Sequence, residues 1–339
     1  MKKILVLMLA SMLTLSLAAC STTPTVSSSD TTTPSSETSA PNEETKTVKV
    51  GVCIYKFDDN FMTVYRNELD NYLKSLSTDE VKYEVTIVDG KGDQAEQTNQ
   101  VNTFIADGVD VLIMNLVQSS SASTVIELAK KADVPVVFIN REPTTEDLAI
   151  WDKVTYVGAD ARQSGTFQGE IINELPNKGD LDSDGTINYV MLVGDPENVD
   201  AQYRTDFSIK AVTDSGMKVN KLVEQRGDWA QEKGQEIVAS ALAQHGKKIE
   251  VVFSNNDGMA LGAIQAITAA GRKVGEDIYI VGVDALPEAV ELVESGGMTG
   301  TVLNDAIGQS HTAVDVALKL VAGETMDKTY TVDYVKVVK

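Results

Sequence analysis

Short apolar runs alternate with helical patterns along residues 47 to 154. The runs read VKVGVCIY, YEVTIVDG, VDVLIMNLV and VPVVFIN. After the first run, Phe61, Tyr65, Leu69, Leu73 and Leu76 recur at spacings of four and three, which predicts one face of an amphipathic helix. Strands that are apolar almost throughout are typical of a parallel sheet covered by helices on both faces. This region therefore predicts an α/β unit with a doubly wound parallel sheet.

The same alternation starts again after residue 155. The second set of runs reads INYVMLVGD, MKVNKLVEQ, IEVVFSNND, IYIVGVD and MTGTVLND. No Gly, Ser or Pro-rich linker separates the two sets, so we expect the chain to cross between two lobes more than once. The predicted fold class is α/β, with two doubly wound parallel-sheet lobes.

The chain begins with a pattern of a different kind. Residues 1–20 have two lysines followed by an apolar run that is too short for a stable membrane span, which predicts an export signal. The signal ends in LAAC and resembles the lipobox of bacterial lipoproteins, so we expect Cys20 to be lipidated and to anchor the protein to the outer face of the cell membrane. An ordinary signal peptide with a chance cysteine is the alternative. Residues 21–46 are mostly Ser, Thr, Pro and Glu, which predicts a disordered tether.

The net charge, the cysteines and the two histidines limit the functions that the chain can have. The 339 residues carry a formal net charge of −21, and this acidity argues against a nucleic-acid partner. Of the two cysteines, Cys53 lies inside an apolar run and is expected to be a buried hydrophobic residue. His245 and His311 both lie in helical contexts that favour structural roles.

Polar side chains accumulate where the predicted strands end. In open parallel sheets, ligands bind outside the carboxyl ends of the strands, so this placement favours a cleft. For each residue alone, a helix cap or a turn is an equally good interpretation. The residues are Asp58, Asp59, Asn60, Asn115, Asn140, Asn255, Asn256, Asp257, Asp284, Asn304 and Asp305.

The stretch GDLDSDGTIN has the spacing of a calcium loop. Counting from Asp180, Asp182 and Asp184 fall at positions three and five, Thr186 at seven and Asn188 at nine, as in an EF-hand. Position twelve holds a methionine, whose thioether is a poor partner for a hard cation. The residues alone leave open whether this is a metal loop completed from elsewhere or an acidic turn.

Four motifs together resemble the galactose/glucose-binding proteins of bacterial sugar uptake and chemotaxis. The motifs are YKFDDNF at 55–61, NLV at 115–117, GVDALPEA at 282–289 and TVLNDA at 301–306. The resemblance implies a type I periplasmic binding protein whose lobes are joined by a three-segment hinge. It implies an N-terminal lobe of residues 47–154 plus 304–329 and a C-terminal lobe of residues 155–303 plus 330–339.

The resemblance also implies the ligand contacts and a metal site. Asn198 replaces the family's usual histidine in the loop ENVDAQYR, which changes the contact at one end of the sugar. Calcium is implied as a structural cofactor, held by Asp180, Asp182, Asp184, Thr186, Asn188 and a remote Glu250. The implied ligand-binding residues are Asp59, Phe61, Asn115, Asn198, Asp200, Arg204, Trp229, Asn256, Asp284 and Asn304.

The function implied is capture of a hexose, glucose or galactose, and its delivery to an ABC transporter permease by a monomeric lipoprotein. A chemoreceptor is a second candidate partner. Three alternatives stay open: a different monosaccharide, a sugar-responsive transcription regulator and a carbohydrate-active enzyme. A regulator would need a DNA-binding domain where this chain has its export signal. An enzyme would use Asp59 and Asp284 as a carboxylate pair, but the chain offers no nucleophile motif, and we expect no catalysis.

Overall fold

The computed structural model describes residues 45–339. The predicted signal at 1–20 and the lipidation site Cys20 lie outside the described residues, as does almost all of the tether. Residue 46 is an exception, because the first strand already begins there and pairs with Val81. Within residues 45–339, no helix is both long enough and apolar enough to cross a membrane.

The first lobe is built on a six-stranded, all-parallel sheet. With elements numbered in chain order, the strands run β2, β1, β3, β4, β5 and β11 across the sheet. These strands are β1 (Lys46–Ile54), β2 (Val81–Asp89), β3 (Val111–Met114), β4 (Val136–Ile139), β5 (Val154–Gly158) and β11 (Thr329–Thr331). The helices of this lobe are α1 (Asn60–Ser75), α2 (Gln94–Ala106), α3 (Ala122–Ala132), α4 (Thr145–Leu148) and α10 (Ala306–Val321).

The second lobe repeats the architecture around a parallel sheet in the order β7, β6, β8 and β9. Its strands are β6 (Thr186–Val193), β7 (Lys218–Arg226), β8 (Val251–Ser254), β9 (Tyr279–Val281), β10 (Thr301–Leu303) and β12 (Val335–Val337). Single bridges join β10 to the β9 edge, and β10 pairs antiparallel with β12. Its helices are α5 (Ala161–Asn173), α6 (Val199–Asp214), α7 (Gln231–His245), α8 (Asp257–Ala269) and α9 (Pro287–Ser295). The predicted fold class of two doubly wound lobes is confirmed.

Within residues 45–339 the chain crosses between the lobes three times, and two crossings differ from the predicted boundaries. The whole of β5 pairs with β4 in the first sheet, so the first crossing comes after Gly158 rather than after residue 154. The last crossing follows β11, after Thr331 rather than after residue 329. The middle crossing lies between β10 and α10. Residues 154–158 were not among the predicted strands, and the predicted boundary therefore fell inside β5.

The predicted apolar face of helix α1 packs against the core of the first lobe. Phe61, Tyr65, Leu69 and Leu73 are all buried in the core of the first lobe. Full burial of a leucine such as Leu69 stabilises the fold by about 1.5–3 kcal/mol. The helix ends at Ser75, and its first residue stands at the carboxyl end of β1. Packing of this face therefore fixes the start of α1 at the edge of the space between the lobes.

Candidate functional site

A cavity of roughly 320 Å³, counting the space at its mouth, lies between the carboxyl ends of the two sheets. Both lobes line it. Eight of the ten predicted ligand residues are in the lining: Asp59, Phe61, Asn198, Arg204, Trp229, Asn256, Asp284 and Asn304. Four further lining residues, Tyr55, Met62, Asn140 and Arg141, were not among the implied ligand residues, although Asn140 was one of the polar residues noted at the strand ends.

Asp59 both caps a helix and lines the cavity, the two roles that the sequence left open. It is the N-cap of α1, and its Oδ1 accepts a hydrogen bond from the Met62 amide at 2.7 Å. Its Oδ2 accepts from the Tyr55 hydroxyl, also at 2.7 Å. Asn198 and Asn256 likewise cap α6 and α8 while lining the cavity. Capping fixes each side chain before any ligand arrives, so helix termini and cavity are built from the same residues.

Arg204 is the centre of the second lobe's wall. It is buried on α6, and its Nη1 donates to the Asn255 carbonyl at 2.8 Å. Its Nη2 donates to the Tyr334 hydroxyl at 3.1 Å, on the third crossing between the lobes. The guanidinium lies 3.9 Å from Asp284 and 4.0 Å from Asp200. Arg204 therefore places one positive charge beside two buried acids and connects the cavity to the hinge.

Burial perturbs the acids of this wall. It raises the pKa of Asp284 to about 7, against the opposing pull of the Arg204 charge and with a further rise from Asp59. Burial also raises the pKa of Asp200 to about 6, again opposed by Arg204. Asp284 lines the cavity, so a ligand hydroxyl that donates to its carboxylate would stabilise the charged form.

Trp229 depends on a glycine in the facing strand. A Cβ added to Gly194, just after β6, would stand 2.1 Å from the indole ring, so a side chain there would displace the tryptophan. The Trp229 backbone has a φ of 66°, and its carbonyl accepts from the Asn256 amide at 3.2 Å. Phe61 lies on the other lobe, buried in the first turn of α1. The cavity thus has an aromatic ring on each lobe.

Two predicted ligand residues are placed outside the lining. The Asn115 side chain is fully buried and accepts from the Tyr55 amide at 3.2 Å. It donates to the Ile139 carbonyl at 3.3 Å and to the Asn140 side chain at 3.0 Å. Asn115 therefore ties together the ends of β1, β3 and β4, and it is Asn140 that reaches the cavity. Asp200 lies next to Arg204 and supports its charge.

Arg141 is the main residue that the sequence interpretation missed. It follows β4, and its guanidinium is buried over the Tyr55 ring, 3.9 Å from the centroid. One Nη donates to the Val117 carbonyl, and the other lies 3.1 Å from the Asp195 carboxylate of the second lobe. Arg141 is therefore a buried cationic contact between the lobes. Its position one residue after Asn140, at a strand end, was the available signal, but only acidic and amide residues were considered there.

Three of the implied calcium ligands form a cluster outside the cavity lining. Carboxylate oxygens of Asp180, Asp182 and Glu250 all lie within 4.8 Å of one another. Glu250 is buried, and its two oxygens accept from the amides of Leu181 at 2.6 Å and Asn188 at 2.8 Å. Within residues 45–339, the buried Oδ1 of Asp180 has no hydrogen-bond partner. An unpartnered carboxylate oxygen among other acidic oxygens fits a hard cation.

The side chains of two other predicted metal ligands, Asp184 and Asn188, make local hydrogen bonds. The Asp184 carboxylate accepts from the Thr186 amide at 2.8 Å. The Asn188 side-chain oxygen accepts from Asn220 at 2.8 Å, while its NH₂ group donates to Glu250. A half-turn of the Asn188 amide would present its oxygen to the cluster instead. The structure therefore brings Asp180 and Asp182 to Glu250, whereas Asp184 and Asn188 are engaged in local hydrogen bonds.

Comparison with known proteins places this geometry in context. Residues 50–325 match the family described as periplasmic binding protein domain. The chain is 37% identical over 281 residues to the D-galactose/methyl-galactoside binding periplasmic protein of Haemophilus influenzae, covering 82% of each chain. It is 33% identical over 291 residues to a putative rhizopine-binding protein of Rhizobium meliloti, covering 86% of this chain and 90% of that one. A solute-binding protein of a Bacillus halodurans ABC transporter, solved with bound myo-inositol, superposes with a TM-score of 0.75 at 26% identity, over 87% of this chain and 96% of that one.

Proposed function

Because the chain belongs to the periplasmic binding protein family, we propose that it captures a free hexopyranose, glucose or galactose, between its lobes and delivers it to an ABC transporter. Its relatives and structural neighbours are solute-binding proteins, and the chain is a binding protein rather than an enzyme. The family is extracytoplasmic, which agrees with the export signal.

The composition of the cavity wall is the observation that supports a sugar. Carboxylate, amide and guanidinium groups from both lobes surround a space with an aromatic ring on each lobe. A hexose presents a belt of hydroxyls, each both donor and acceptor, and planar polar groups can bind neighbouring hydroxyls in pairs. Aromatic rings can cover the apolar C–H faces of the sugar ring. A ligand with one charged end would not need this even distribution of donors and acceptors.

The choice of a hexose rests on the relatives. The names of the relatives cover galactosides, a rhizopine and ribose, and the galactoside-binding protein is 37% identical against 27% for the ribose-binding proteins. Galactose and ribose are both small and rich in hydroxyls. Asn198 and Arg141 are the lining residues that we expect to adjust selectivity, since one replaces the family histidine and the other adds a buried cation.

Contacts from both lobes explain how the ligand changes the protein. Asp59 and Phe61 belong to the first lobe, whereas Arg204, Trp229 and Asp284 belong to the second. Only a closed arrangement makes all of them at once, so a sugar stabilises closure by its differential affinity for the two states. A transporter that recognises the closed lobes would then distinguish loaded from empty protein.

Calorimetric titration of the sugar-free protein tests this function. We expect saturable binding of D-glucose or D-galactose and weaker binding of D-ribose and myo-inositol, since each missing or misplaced hydroxyl leaves a buried polar group unpaired at about 1–3 kcal/mol. Asp284→Ala should abolish binding. Asp214→Ala, which removes an exposed carboxylate at the end of α6, is the matched control and should bind normally. Tighter binding of ribose or inositol than of either hexose would contradict the hexose assignment.

The calcium loop has a separate, structural role in this proposal. Calcium at Asp180, Asp182 and Glu250 would stabilise the second lobe without touching the sugar, since these residues lie outside the cavity lining. Three carboxylates held this close repel one another when no cation is bound. Binding of the cation to the folded state alone would raise the melting temperature by mass action.

A further inference from the structure

The loop that carries Asp284 has an unusual backbone. Asp284 has a φ of 121° and the next residue, Ala285, has a φ of 53°. Residues with side chains rarely adopt either value, and two in succession need support from the surrounding structure. The Asp284 amide donates to the Val302 carbonyl at 2.8 Å, which fixes only one end of the turn.

The buried carboxylate of Asp257 holds the other end. Its Oδ2 accepts from the Leu286 amide at 2.9 Å, and its Oδ1 accepts from the Thr301 hydroxyl at 2.7 Å. The same hydroxyl oxygen accepts from the Ala285 amide at 3.4 Å. One carboxylate thus connects the loop after Asp284 to strand β10.

The glycine at position 282 makes room for the Asp257 carboxylate. A Cβ on Gly282 would stand 2.2 Å from the Asp257 Oδ1, so the strand can pass only because residue 282 is a glycine. Asp257 is fully buried, and burial raises the pKa of its carboxyl well above the ordinary value, with Asp284 adding to the rise. Burying an acid is costly, and the hydrogen bonds that Asp257 accepts from the loop and from β10 offset part of this cost.

Capping of α8 does not account for Asp257. The cap of that helix is Asn256, whose side chain accepts from the Met259 amide at 3.0 Å. The two oxygens of Asp257 instead accept from the loop and from β10. Asp257 does not line the cavity, so we expect it to make no direct contact with the ligand.

We propose that Asp257 is a positioning residue that holds the Asp284 loop in its strained conformation and so sets the affinity for the ligand. The effect on affinity rests on the proposed sugar binding, whereas the effect on the loop does not. Removing the Asp257 carboxylate would let the loop relax, and the Asp284 carboxylate would leave its place beside Arg204.

The experiment compares three full-length variants. Asp257→Ala removes both acceptors. Asp257→Asn is nearly isosteric, and its amide can accept from Leu286 with the oxygen and donate to Thr301 with the nitrogen, so it should rescue the loop. Val238→Ala creates a small cavity on α7, away from the cavity lining, and controls for a general loss of stability in the second lobe. Each is titrated with D-galactose, and amide hydrogen exchange is measured without sugar.

For Asp257→Ala we expect galactose affinity to fall by about tenfold or more, the usual effect of misplacing one buried hydrogen-bonding group. Asp257→Asn and Val238→Ala should stay within about threefold of the unmodified protein. Without sugar, the Asp284 amide should exchange faster in Asp257→Ala although its own acceptor, Val302, is untouched.

Unchanged affinity in Asp257→Ala, or an equal loss in Val238→Ala, would overturn the inference, and so would failure of Asp257→Asn to rescue the alanine defect. If the unmodified protein binds no galactose, the proposed function fails. In that case, the exchange of the Asp284 amide still decides whether Asp257 holds the loop.

Discussion

The buried acid Asp284 should make the sugar-free protein less stable as pH rises. Its pKa is about 7 in the folded protein, raised by burial from an ordinary value of 3.8. Between these two values the folded state holds a proton that the unfolded chain releases, so unfolding is favoured by raising the pH. The contribution of Asp284 to stability is therefore complete below the ordinary pKa and is lost as pH rises through 7.

The size of the effect follows from the pKa difference. Each pH unit within the window costs about 1.4 kcal/mol, which gives a total of about 4 kcal/mol for Asp284. Between about pH 5 and about pH 8, where the protein is easily handled, roughly 3 kcal/mol of this remains to be lost. Little solvent screening applies, since Asp284 is 6% exposed.

Asp284→Asn isolates this contribution because an asparagine cannot ionise. The free energy of unfolding of the sugar-free protein is measured by urea titration in excess calcium at about pH 5 and at about pH 8. Between these pH values it should fall by about 2–3 kcal/mol more in the unmodified protein than in the variant. Asp214→Asn, which removes an exposed carboxylate, should follow the unmodified protein. Parallel pH profiles for the unmodified protein and Asp284→Asn would refute the reasoning that burial holds a proton on this acid.

Three further outcomes can be measured directly. Calcium should raise the melting temperature of the unmodified protein and of Glu224→Gln, an exposed change on β7, but not of Glu250→Gln; an equal rise in all three would show that the loop is only an acidic turn. Cys20→Ser should release the protein from the membrane fraction into the medium, and unchanged retention would exclude the lipid anchor. Arg141→Leu breaks the contact to Asp195 between the lobes, so galactose affinity should fall by about tenfold. Small-angle scattering should also show a more open sugar-free protein. Unchanged scattering would mean that this contact does not favour closure.

The repeated apolar runs were sufficient to predict two parallel-sheet lobes, and the helix face from Phe61 to Leu73 is buried as its spacing indicated. These features are local, because a period of 3.6 or a continuous apolar run reports directly which side of an element faces the core. The polar strand ends also located the cavity, since the carboxyl ends of parallel strands meet at one edge of the sheet. The approach of Glu250 to the acidic loop was implied only by family resemblance, because no local pattern connects two segments this far apart.

Tertiary packing decided which strand-end side chains reach the cavity and which instead form hydrogen bonds with the residues around it. Asn115 and Asn140 both follow apolar strands, yet Asn115 is fully occupied by hydrogen bonds to its neighbours and Asn140 lines the cavity. Arg141 enters the site because Tyr55 and Asp195, which come from different lobes, create a buried place for its charge. The sequence by itself determined that polar groups gather at this edge. Their individual directions depend on partners contributed by distant segments, and those partners exist only once the two lobes have folded and met.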